Sequence, residues 1–204
     1  MDHLVFAAPD LDEGVRHIET HLGVATSPGG RHAGYGTKNR LVGLGPKSYM
    51  EVVGVDLDQP EPSRARWFGL DTLNSPRLVT WCVAVSDLDD LIVRAKLVGL
   101  DLGESKKGSR RREGGALLEW QMTDPWAERA GGIIPFFIDW GDTDHPGISL
   151  PCFSSFRGIR AEHPDPDRVQ QWCMALELDI EVSRGDHARL IATLKTPNGL
   201  VEIS

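Results

Sequence analysis

One stretch of grammar is written three times in this chain, and that repetition limits the fold more than anything else in the sequence. The first copy opens with "HLVFAA", a short apolar strand, followed by Asp10, which can cap a helix whose Glu13 completes a capping-box pattern. Leu11, Val15, Ile18 and Leu22 recur at helical spacing and give one apolar stripe, and Gly23 supplies the stop. The pattern returns at "TWCVAVSDLDDLIVRAKLVGL", with Asp87 as cap and Leu88, Leu91, Ala95 and Val98 as the stripe. It returns again at "GIRAEHPDPDRVQQWCMALEL", with Asp165 as cap, Pro166 at the first helical position and Val169, Trp172, Cys173 and Leu176 facing inward.

Strand-like runs follow each helix. In the first copy these are the Gly-rich stretch, "NRLVGLG" and "YMEVVGV"; in the second, "ALLEWQMT" and "IIPFFIDW"; in the third, "DIEVSR", "RLIATLKT" and "LVEIS". Each unit therefore reads strand, helix, three strands, and repetition at this spacing predicts duplicated supersecondary units. The expected fold is α+β: βαβββ modules over residues 1–55, 77–144 and, in degenerate form, 157–204, with connectors at 56–76 and 145–156. Helices on one face of mainly antiparallel, curved sheets leave the other face free, and two such sheets can enclose an open, barrel-like cleft. Function is expected there.

The chain has 204 residues, 40% of them hydrophobic, enough to bury a core in one domain or two fused ones. A net charge of -8 argues against nucleic acid as a partner, since phosphate contacts need clustered Lys and Arg. Cys82, Cys152 and Cys173 form neither a disulfide framework nor a zinc-ribbon spacing, and a reducing cytoplasm fits them. The sequence shows no signal-peptide pattern and no apolar run of membrane-spanning length, so no membrane partner is expected.

The stretch "GGRHAGYGTKNR" at 29–40 is the first candidate for chemistry. Its glycines let a strand curl close to a ligand. Arg31 offers a planar fork for a carboxylate or phosphate, Thr37 and Asn39 offer polar contacts, and His32 can transfer a proton near neutral pH. The pair His17 and His21 in "HIETH" lies beside the apolar stripe and reads as a solvated helix face. "ESKKGSRRREGG" is a cationic island in an acidic chain: a hydrated hairpin tip, or a place where Arg111 or Arg112 overhangs the cleft and attracts an anion. Trp120 and Trp140, at or near strand ends, can stack on a flat substrate or fill core. His145 and His163 read as surface loop residues. No nucleophile elbow or phosphate loop is present.

The repeated unit, the opening "DHLVFAAPDL", the stretch "GGRHAGYGTKNRLVGLG", and the runs "SYMEVVGV" and "GGIIPFFIDWG" resemble the glyoxalase-like domain family of the vicinal oxygen chelate superfamily. The resemblance implies paired modules forming an open barrel around a divalent metal, with one ligand on a module's first strand and another on its last. Those positions hold His3 and Glu51, and strand alternation puts Tyr49 on the face of Glu51. The corresponding places are Thr80 and Phe137 in the second module, and Gly158 and Glu202 in the third, so the ligands implied are His3, Glu51 and, if the first and third modules face each other, Glu202, with His32 another candidate. The activity implied is lyase, isomerase or dioxygenase chemistry on an oxygen-rich anionic small molecule, in which the metal polarises a carbonyl and His32 or Glu51 moves a proton. The alternative is a metal-free module of the same fold that binds or sequesters a small molecule. An odd module count suggests pairing between chains, hence a homodimer.

Overall fold

The computed structural model describes residues 1–111 and 117–204. The first unit comprises β1 (His3–Ala8), α1 (Leu11–Leu22), β2 (Ser27–His32), β3 (Thr37–Gly45) and β4 (Ser48–Val55). The second comprises β5 (Arg77–Ala84), α2 (Leu88–Leu97), β6 (Lys106–Arg111), β7 (Leu117–Met122) and β8 (Phe136–Asp139). The third comprises β9 (Ser155–His163), α3 (Pro166–Ala175), β10 (Glu181–Arg184), β11 (Arg189–Thr196) and β12 (Gly199–Ile203). Between the first two units the chain makes a short 3-10 segment, Trp67–Thr72.

Local chemistry sets the helix ends. Asp10, Asp87 and Asp165 each accept a hydrogen bond from the backbone N–H three residues on, satisfying an otherwise orphaned donor. Gly23 ends α1 in the left-handed conformation. The last carbonyls of α1, at Thr20 and His21, accept from the Asn198 side chain, so the third unit helps close the first helix. Gly14 lets α1 lie against the sheet, since a Cβ there would stand 2.6 Å from the Ala8 Cβ.

The first two units build one eight-stranded sheet in the order β2-β3-β4-β1-β5-β8-β7-β6. Within each unit the first strand pairs in parallel with the last, β1 with β4 and β5 with β8; the units join where β1 meets β5 antiparallel. The sheet curls until its edge strands β2 and β6 touch, making a nearly closed barrel. Alternation then sorts the side chains. Leu4 and Phe6 face outward into a core shared with α1 and α2, whereas Val5 and Ala7 face the barrel interior.

The third unit repeats the sequence order but not the pairing. Its sheet runs β10-β9-β11-β12, with β9 parallel to β10 and antiparallel to β11. Ala161, Val169, Leu190 and Leu194 join the same core as Leu4, Ile18 and Leu91, so this unit finds its apolar partner inside the chain. The argument for a homodimer from an unpaired module therefore falls away. No helix among the described residues is long and apolar enough to cross a membrane.

Candidate functional site

The barrel interior opens into a hollow of about 400 Å³, part of it open to solvent. One wall comes from the first unit. Glu51, buried on β4, sits between two imidazoles: its Oε2 is 3.8 Å from His3 Nε2 and its Oε1 3.6 Å from His32 Nε2. The first strand and the glycine-rich hairpin thus converge on one carboxylate. Asn39 fixes the arrangement. Its Oδ1 accepts from the Gly30 backbone at 2.8 Å, which turns its Nδ2 toward Glu51 Oε1 in a short hydrogen bond and toward His32 Nε2 at 3.4 Å. Burial holds the His32 imidazolium below its usual range against the opposing pull of Glu51, so neutral His32 is the form at pH 7. Its Nδ1 meets Thr37 Oγ1 at 2.9 Å.

Behind His3 lies a carboxylate the sequence reading did not single out. Asp2 Oδ1 accepts from His3 Nδ1 at 2.6 Å, while Oδ2 accepts from Trp140 Nε1 at 2.8 Å and from His145 Nε2 at 3.1 Å. Burial alone would raise the Asp2 carboxyl, but the hydrogen bonds from His145 and His3 outweigh it and hold it well below the ordinary carboxylate range. His145 Nδ1 in turn accepts from the Gly147 N–H, which fixes its tautomer. His145 is therefore buried and bonded, not a surface loop residue, and its only advance signal was a histidine next to a proline in a long connector. With Nδ1 donating to Asp2, His3 turns its Nε2 toward Glu51 and the hollow, and Tyr49 stacks on the ring at 4.6 Å between centroids. Burial, then the nearby Asp2 and Glu51 carboxylates, push the Tyr49 phenol well up, so it stays neutral.

The opposite wall comes from the second unit and the connector before it. Trp120, Met122, Phe136, Ile138 and Trp140 line it, with Trp67 and Phe68 from the 3-10 segment. The connector at 56–76 thus contributes two rings to the site. The Phe136 edge meets His3 at 5.3 Å between centroids. Here the alternation along β8 corrects the expected register: Phe136 faces the hollow, and Phe137 packs in the outer core. The one cation on the hollow's wall among the described residues is Arg110. It is buried and has no carboxylate within ion-pair distance among the described residues.

Not every expected residue arrives. Arg31 points away, 56% exposed, and pairs with Asp56 and Asp58, because alternation along β2 sends His32 inward and its neighbour out. Thr37 is buried and reaches the hollow only through His32. Arg112 lies outside the described residues, as does the Arg111 side chain; the arginine that faces the hollow is their neighbour Arg110. Glu202 lies on the separate four-stranded sheet, exposed and bound through both oxygens to Arg160, and does not join His3 and Glu51.

The donor set falls short of a resident divalent metal. His3 Nε2 and Glu51 Oε2 could bracket an ion, but among the described residues His32, though 3.6 Å from Glu51 Oε1, does not close a compact cluster of three with them, and catalytic sites of this kind carry three protein ligands. The two-fold relation between β1 and β5 puts Thr80 where His3 stands and Phe136 where Glu51 stands. The Thr80 hydroxyl donates to the Gly132 carbonyl, and Phe136 has nothing to give. Among the described residues the only cluster of three ligating groups is Asp2, His3 and Cys82. In it the Asp2 oxygens are already taken, and burial keeps the Cys82 thiol protonated.

A curled eight-stranded sheet made of two βαβββ units, with the working side chains inside, is the fold of the vicinal oxygen chelate superfamily. Within it the chain belongs to the glyoxalase-like domain family, whose model matches residues 1–177. No curated protein matches the sequence. Among solved structures, a hypothetical protein from Staphylococcus aureus superposes with a TM-score of 0.65 at 18% identity, over 98% of this chain and 83% of that one. A variant of 4-hydroxymandelate synthase from Streptomyces coelicolor gives 0.54 at 13% identity, over 99% of this chain and 61% of that one. Methylmalonyl-CoA epimerase from Mycobacterium tuberculosis gives 0.44 at 20% identity, over 69% of this chain and 87% of that one. The first two likenesses, at these identities, speak for the fold alone.

Proposed function

We propose that the hollow binds a small oxygen-bearing anion and that Glu51 exchanges a proton with it, an isomerase- or lyase-type step at a carbon beside a carbonyl. One observation carries this reading: a buried carboxylate faced by two imidazoles and an amide, with no lysine or arginine in ion-pair distance among the described residues. Such a carboxylate is positioned to take a proton rather than to hold a permanent cation. In the step, the substrate C–H bond breaks, the proton passes to Glu51, and the electron pair moves onto the carbonyl oxygen as an enolate. Arg110 supplies the positive charge that the anion and the enolate need. His3 Nε2 meets a polar atom of the ligand. No step runs through a metal.

The test is deuterium uptake from D₂O into a panel of small 2-oxo and 2-hydroxy acids, followed by proton NMR. Glu51→Gln keeps a side-chain oxygen for the Asn39 amide and should slow exchange by about 10²- to 10⁴-fold. A variant that exchanges like the unaltered chain, or a panel that exchanges no faster than in buffer alone, would overturn the reading. The second reading, a metal-free binding module, is favoured by Asn39 already occupying Glu51 Oε1. Saturable binding without exchange is its signature.

A further inference from the structure

We infer that the ligand of this hollow is an aryl carboxylate: a flat ring laid against the second unit's wall, with its carboxylate on the Arg110 guanidinium. The inference rests on the reading of the hollow as a ligand site and names the class of molecule that fits it.

Two groups on the wall of the hollow point to the ligand. Arg110 is only 7% exposed, lines the hollow, and has no carboxylate partner among the described residues. The planar fork of a guanidinium matches a carboxylate through two parallel hydrogen bonds. Its charge reaches His32 and Tyr49, so it acts on the same space as the polar wall. The second group is the Trp67 indole N–H, buried on the wall of that space with no acceptor among the described residues. A second ligand oxygen would satisfy it.

The rest of the wall argues for a ring rather than a polyhydroxylated chain. The Trp120 N–H is turned onto Met122 Sδ at 3.3 Å and the Trp140 N–H onto Asp2, so neither indole offers a donor to the hollow and both offer carbon surface. A sugar acid laid there would bury hydroxyls against carbon, at a cost of roughly 1–3 kcal/mol for each one left unpaired. A flat ring meets Phe68, Phe136 and the two tryptophans in the edge and offset contacts that aromatic rings prefer. Phe68 sits at φ +59°, a conformation disfavoured for a side chain of this size, and that strained backbone places its ring on the wall of the hollow.

Isothermal titration separates the parts. Phenylacetate should bind, with phenylacetamide, which lacks the charge, and acetate and gluconate, which lack the ring, each weaker by about tenfold or more. Cyclohexylacetate, which keeps the charge and replaces the flat ring, should fall in between. Arg110→Gln should weaken phenylacetate by roughly 10- to 100-fold and leave phenylacetamide unchanged, while Arg110→Lys, which keeps the charge without the fork, should lose about tenfold. Gluconate or cyclohexylacetate binding as tightly as phenylacetate would overturn the inference, and so would unchanged phenylacetate binding in Arg110→Gln or no phenylacetate binding at all. The two proposals fail separately. Phenylacetate binding without proton exchange on any acid removes only the proton-transfer reading, and exchange on a non-aromatic acid with no phenylacetate binding removes only this one.

Discussion

The two halves of the barrel share a backbone plan and differ in nearly every side chain that faces the hollow. The first half presents His3, His32, Asn39 and Glu51; the second presents Trp120, Met122, Phe136, Ile138 and Trp140, with Arg110 the exception. At the two-fold related positions Thr80 corresponds to His3 and Phe136 to Glu51. The frame is thus symmetric and its side chains are divided rather than repeated: one wall carries the titratable and amide groups, and the other carries mostly carbon surface. A symmetric metal cage would need both walls to give donors. Here the second gives surface instead.

That division breaks most directly by undoing it. Placing histidine at 80 and glutamate at 136 restores the missing half of a four-donor set, and Thr80→His with Phe136→Glu should bind Zn²⁺ or Mn²⁺ at least about 100-fold more tightly than the unaltered chain. The measurement is metal titration followed by calorimetry, with circular dichroism to establish that the variant is folded. Equal affinity in the two proteins would mean that the walls are not related as the strand register implies, or that His3 and Glu51 already hold the ion.

A smaller effect sharpens the same contrast from behind the polar wall. Asp2 ties His3 to Trp140 and His145, one residue from each part of the site. Its carboxyl is depressed when folded, so the stabilisation it gives is complete above the unfolded value near 4 and is lost as the pH falls below that toward its folded value. Asp2→Asn should therefore cost about 2–3 kcal/mol in urea unfolding at pH 7. The gap should narrow at pH 3. A gap as wide at pH 3 as at pH 7 would show that Asp2 acts through its shape and not its charge.

The pattern of what was readable follows from range. Helix caps and stripes are local, so Asp10, Asp87 and Asp165 announced all three helices. The convergence of His3, Glu51, His32 and Asn39 followed from strand alternation plus a family resemblance. What escaped depends on contacts between distant segments. Asp2 meets His145 across 143 residues, a pairing no spacing rule reveals. Along "GSRRRE" three adjacent arginines look alike in sequence, and nothing in that run singles out Arg110, which lines the hollow. Phe136 and Phe137 differ by one step of alternation at the start of a four-residue strand. Trp67 and Phe68 lie in a segment with no periodicity at all.

The third unit shows the limit of reading strand order as pairing. Its sequence repeats the strand-helix-three-strand pattern, and a carboxylate, Glu202, stands where Glu51 does in the first copy. Yet in the first unit the opening strand pairs with the last, and in the third it pairs with β10 and β11, leaving β12 at the sheet edge. A residue at the same place in the order therefore ends up on a different surface. Glu202 is exposed and meets Arg160 at 2.9 and 3.2 Å, a surface ion pair of the kind that contributes little. Glu202→Ala should leave phenylacetate affinity, proton exchange and the melting temperature within error of the unaltered chain. A loss of ligand affinity in that variant would mean that the third unit reaches the hollow after all, and the contrast between its wiring and that of the first two would lose its meaning.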